Sequence, residues 1–134
     1  MSGAATDDPR VGDLLGTGLD GGSAPRAVVV GFPSDAGVAR NGGRPGASAG
    51  PEAVRAALRT MTPDPVRHDA MCELLVRTRD LGDVEVEGDL AADQERLADA
   101  LAPHLEAGRP AVVIGGGHET AYGHFLAQVD AGFA

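Results

Sequence analysis

The stretch "AVVVGF", residues 27 to 32, is short, rich in valine and without a single polar side chain. A strand with one face in water alternates apolar and polar residues, and this one does not. It therefore reads as a strand buried on both faces, as in a parallel sheet covered by helices on each side. "AVVI" at 111 to 114 is another short apolar run and reads as a further strand. Between them "LLVRTRDL" predicts a strand over 75 to 80, although the preceding "MCELL" is equally compatible with a helix. "VEVE" at 84 to 87 alternates apolar and charged residues and suggests a strand extension or an exposed edge.

Helical patterns separate the three runs. Gly50-Pro51-Glu52 places proline at a first helical position and a carboxylate near the positive end of the helix dipole. Val54, Ala57, Leu58 and Met61 then keep one apolar stripe until "TPDP" at 62 to 65 stops it. Asp89 is a good N-cap for a longer helix, with Leu90, Leu97, Leu101 and Leu105 near one face and Gly108 at the end. Pro103 is expected to kink that helix or end it early. A last helix is expected from about residue 119. The order β-α-β-α-β-α implies a doubly wound α/β sheet with right-handed crossovers. Residues 1 to 25, rich in Gly, Ser and Asp, show no sustained period and are expected to form a disordered tail, leaving 26 to 134 as the folded unit.

With 134 residues the chain fits one modest domain. Aromatic residues make up only 3%, so Val, Leu and Ala must fill the core. Twenty acidic against eleven basic side chains leave a net charge of −9, which repels nucleic-acid phosphates and anionic lipid surfaces alike. Cys72 is the single cysteine, so no intrachain disulfide forms, and it is expected to be a buried spectator thiol. No apolar run approaches the roughly 18 residues of a membrane span, and acidic residues stand where a signal peptide carries positive charge. The expected compartment is the cytoplasm.

In open α/β sheets, ligands gather where loops leave the carboxyl ends of the strands. Gly115, Gly116, Gly117 and His118 follow the last strand directly. Glycines let backbone approach a ligand closely, and an imidazole can ligate a metal or move a proton; a tight turn with a helix-capping histidine explains the same residues. "GGGHET" lacks the last glycine of a dinucleotide fingerprint and the lysine of a phosphate loop, and "HETAY" lacks the second histidine of a zinc-protease helix. His124, six residues on, lies about a third of a turn off the face of His118 on a regular helix, so the two are not expected to chelate one ion. His68 and His104 stand on polar stretches and are expected at the surface.

"IGGGHETAYGHF", taken with "GFPSDAGVARNGGRPGASAGPEAVRAAL" and "DLGDV", resembles the arginase and agmatinase superfamily, and within it the formimidoylglutamase branch. The blocks occur in the family's order and cover residues 27 to 126. The resemblance implies a three-layer α/β/α fold of arginase type, of which this chain carries only the first strands and helices, with the first strand between the other two. It also implies a binuclear Mn2+ centre at the carboxyl edge of the sheet, whose bridging hydroxide attacks an amidine carbon. His118 matches the family's manganese-ligating histidine. Asn41 and Arg44 match the loop at the active-site mouth, where Arg44 can pair with a substrate carboxylate; a loop bound to its own helix or to a neighbouring subunit is the alternative. Glu119 is expected in the first helical turn, in a structural role.

The family's other manganese ligands lie in Asp-x-His-x-Asp and Asp-x-Asp-x-x-Asp-Pro patterns, and neither occurs in these residues. The chain thus resembles the N-terminal portion of a hydrolase of linear amidines, acting on the small molecule N-formimidoyl-L-glutamate in histidine degradation, inactive alone and homo-oligomeric at full length. Alternatives are a fragment of an agmatinase or guanidino-acid hydrolase, or a non-catalytic binding module derived from one.

Overall fold

The computed structural model describes residues 8–133. Its centre is β1, Ala27–Phe32, flanked on one side by β2, Thr78–Asp83, and on the other by β3, Ala111–Gly115. Both pairings are parallel, with Val29 opposite Val112 and Ala27 opposite Thr78, so the first strand lies between the other two as expected. The composition of β1 is what places it there. Five of its six residues are buried, whereas β2 and β3 are each half-exposed edges.

Residues of β1 divide between two faces. Val28, Val30 and Phe32 point into the core, against Leu97, Ala98, Leu101 and Leu105 of α5 (Leu90–Glu106) and Ala127 of α6 (Thr120–Asp130). Phe32, Leu97 and Leu101 are fully buried, and each such side chain contributes about 1.5–3 kcal/mol of transfer free energy. Asp89 caps α5, its side chain accepting from the Ala92 amide. The helix does not break at Pro103. It runs on to Glu106, because the proline sits on the exposed side of the last turn and removes a single amide there.

On the other face lie α1 (Val11–Leu14), α3 (Gly50–Leu58) and α4 (His68–Val76). Their Val11, Leu58, Leu74 and Leu75, with Val29 and Val112, surround an apolar cleft of about 600 Å³. Four expectations shift here. The segment expected to fray holds α1 from Val11, a residue that is buried and whose amide donates to the Met61 carbonyl at 2.8 Å; residues 1–7 lie outside the described residues. "MCELLV" is helical, so β2 begins at Thr78 and not at 75. "VEVE" forms no strand, although Val84 is buried. The face that α3 turns inward carries Pro51, Arg55 and Leu58, while Val54 and Met61 are exposed. Arg55 sets that rotation: it donates to both Asp80 carboxylate oxygens, at 2.8 and 2.9 Å, and to Asp83, locking α3 to β2.

Cys72 is half-buried rather than buried, its Sγ 3.8 Å from the ring of His68, which is exposed. His104 is half-buried and its Nδ1 lies 3.1 Å from an Arg109 guanidinium nitrogen. No helix among the described residues is long and apolar enough to cross a membrane.

Candidate active site

All three parallel strands end on the same side of the molecule, and the turns that leave β1 and β3 are stitched together there. The Gly116 amide donates to the Phe32 carbonyl at 3.3 Å, and the Gly117 amide to the Ser34 carbonyl at 2.8 Å. Ser34 is itself buried. These bonds bring the β3–α6 turn, which carries His118, against the β1 exit and the short helix α2, Ala36–Arg40. The sequence offers too many glycines and prolines around this helix for it to be expected; it forms because Asp35 through Arg40 fold back on the Gly117–Glu119 turn.

A cleft of about 580 Å³ opens between the two walls. Arg40 and Asn41 line it from one side, His118 and Glu119 from the other, and Leu90 at the start of α5 lies between. His118 is exposed, and its imidazole has no hydrogen-bond partner among the described residues. Its carbonyl accepts from the Ala121 amide, which fixes the backbone while leaving the ring to the cleft.

Asn41 and His118 thus line one cleft. Arg44 is exposed on the loop but is not among the residues lining the cleft, whereas Arg40 is. Arg40 was missed because its charge ends a helix too short to show a period. The loop beyond it is ordered by Asp35, whose Oδ2 accepts from the Gly46 amide at 2.8 Å. That amide holds the Asp35 carboxyl below its ordinary range, against a smaller opposing effect of desolvation. Within β2, desolvation works against ionisation of Asp80, but the Arg55 hydrogen bond and the Gly82 amide outweigh it and keep the carboxyl low. Asp80 and Asp83 are therefore committed to Arg55 and do not face the cleft as free carboxylates.

Residues 25–132 match the Arginase family. The chain belongs to the arginase family. It is 44% identical over 104 residues to a formimidoylglutamase of Chromobacterium violaceum, a match covering 77% of this chain and 31% of that protein. With the Rhodococcus opacus formimidoylglutamase it shares 46% over 117 residues, 86% of this chain and 34% of the other. The crystal structure of Trypanosoma cruzi formiminoglutamase with Mn2+ superposes with a TM-score of 0.79 at 31% identity, covering 94% of this chain and 41% of that one. The chain spans about a third of the length of these curated relatives.

Manganese in an arginase-family cleft needs about five or six donors per ion, oxygens and imidazoles foremost. His118 is the right kind of donor, exposed and facing the cleft. The described residues nonetheless contain no group of three His, Cys, Asp or Glu placed to hold a metal ion. Glu119, the nearest carboxylate, is already engaged: its Oε1 accepts from the Gly37 amide at 3.1 Å and the Ser34 hydroxyl at 3.3 Å. The donors present do not by themselves fit a binuclear centre.

Proposed function

We propose that this chain forms one wall of the active site of a manganese-dependent hydrolase of linear amidines, taking N-formimidoyl-L-glutamate and water to L-glutamate and formamide in histidine degradation. The observation that carries this reading is the position of His118: an exposed imidazole at the carboxyl edge of a parallel sheet, facing Asn41 and Arg40 across a cleft, in a member of the arginase family. In this reading His118 supplies one donor to the metal centre, and the remaining donors come from polypeptide beyond these 134 residues. Asn41 hydrogen-bonds the substrate. A guanidinium, Arg40 in the cleft or Arg44 on the loop beyond it, pairs with a substrate carboxylate. Agmatinases and guanidino-acid hydrolases run similar chemistry, but relatives carrying the formimidoylglutamase name at 44–46% identity support the amidine of glutamate as substrate.

Formamide release in the presence of Mn2+ tests the reading with three proteins: this chain, the chain extended by the C-terminal remainder of the Chromobacterium relative, and that extension bearing His118→Ala. The extended protein is expected to turn over and the 134-residue chain is not. Loss of His118 is expected to cost about 100-fold or more, since even partners of metal ligands contribute roughly 10–100-fold. Ordinary turnover by the chain alone, or an extension indifferent to His118→Ala, overturns the assignment.

A further inference from the structure

We propose that Glu119 is a positioning residue, a tie that holds the His118 wall and the Asn41 wall of the cleft at a fixed separation. A glutamate at the N-terminus of a helix is commonly explained by the helix dipole. That does not account for where this side chain goes. Glu119 occupies the N-cap position of α6 yet makes no capping bond to its own helix. It reaches across the end of the sheet, and Oε1 accepts from the Gly37 amide and the Ser34 hydroxyl. Its own backbone is anchored in turn, the buried Gln94 of α5 donating from Nε2 to the Glu119 carbonyl at 2.9 Å.

Two glycines make room for the carboxylate. A Cβ on Gly37 would lie 2.8 Å from Oε2, and a Cβ on Gly117 would collide with the same carboxylate. The glycines of "DAG" and "GGGHE" thus meet on one side chain. Gly37 is the second residue of α2, so its amide has no acceptor within the helix. One turn later the Asn41 amide donates to the Gly37 carbonyl at 3.1 Å, so whatever fixes Gly37 also fixes Asn41. Since His118 immediately precedes Glu119, one side chain sets the distance between the donor on one wall and the amide on the other. A carboxylate accepting from a backbone amide is about twice as strong as a neutral pair, which suits it to this task.

The catalytic meaning of this tie rests on the hydrolase reading, but the tie is measurable without metal or substrate. Amide hydrogen exchange and chemical shifts of the 15N-labelled 134-residue chain are compared with Glu119→Ala, Glu119→Gln and Gly37→Ala. Because Gly37 has no other acceptor among the described residues, Glu119→Ala is expected to speed its exchange at least about 10-fold. Shift changes are expected to cluster at 36–43 and 117–120, with Val30 of β1 and Val113 of β3 unaffected. Gln keeps an acceptor oxygen and is expected to restore protection; Gly37→Ala, which displaces the carboxylate while leaving Glu119 in place, is expected to reproduce the loss. Unchanged protection in the Ala variant, a Gln variant no better than Ala, or equal acceleration throughout β1 and β3 overturns the proposal. None of these results bears on formamide release, so the tie and the hydrolase reading fail separately.

Discussion

Asp93→Ala is expected to be among the most costly single truncations of a polar side chain in this molecule. Asp93 is fully buried in the first turn of α5. It accepts three hydrogen bonds: from the amides of Glu87 at 2.9 Å and Gly88 at 3.0 Å, and from Arg96 at 2.6 Å. Bonds to a charged partner contribute about 1.5–3 kcal/mol each, which sets a ceiling well above the expected loss. Three circumstances lower it. Glu87 and Gly88 are exposed, so their amides recover water once the carboxylate is gone, and Arg96 keeps Glu87 Oε2 at 2.9 Å. The net cost should therefore be about 3 kcal/mol, close to one ordinary bond per lost partner. For a domain of this size that corresponds to a fall in Tm of roughly 10 °C. Urea titration followed by far-UV circular dichroism gives the free energy directly, with an unchanged slope showing that compactness is unaltered. A loss below about 1 kcal/mol would refute the argument that this carboxylate pins the 84–89 loop, and with it Leu90, beside the cleft.

Leu97→Ala removes a side chain with no exposed surface from the centre of the α5–β1–α6 core, and should cost about 3–4 kcal/mol by chemical denaturation; a loss under 1.5 would mean that the core collapses around the gap. His104 gives the stability a pH dependence. Burial, then the charges of Arg109 and Arg79, hold its pKa below the ordinary 6.5. As pH falls through 6.5 the unfolded chain takes up a proton that the folded chain declines, so the stability His104 contributes is complete above that pH and is lost beneath it. Tm measured between pH 5 and 8 should decline more steeply in the native protein than in His104→Gln; parallel curves would show that His104 plays no part.

Continuous apolar runs carried most of what the sequence revealed. β1 has no polar positions, so its burial at the centre of a parallel sheet was legible, as was the capped helix that starts at Asp89; β3 was legible as an apolar run, although as an edge strand it leaves Val112 exposed. β2 was harder because "TRDLGD" is an edge whose identity comes from neighbours: its register on β1 and the grip of Arg55, a residue 25 positions away from Asp80 in sequence. "MCELLV" carries enough apolar residues for either state, and the adjacent strand needed only six residues beyond it. At the site, His118 and Asn41 were visible as chemistry on glycine-rich turns. Arg40 was not, since α2 is held in place by Glu119 rather than by any periodicity of its own.

The central place of β1 also has a consequence in time. Of the three described strands it is the first to be synthesised, and it is not fully paired until β3 follows, since roughly 80 residues separate Phe32 from the start of β3, a delay of several seconds at about 5–20 residues per second. Throughout that interval Val28, Val30 and Phe32 have at most β2 beside them and no α6 above, and α5 is complete only at its end. A nascent chain in this state presents an apolar strand with open hydrogen-bonding edges, the form most readily captured by a holdase or by another copy emerging from the same polysome. Codon choice between residues 33 and 110, which changes no contact in the finished molecule, is thus a lever on its yield.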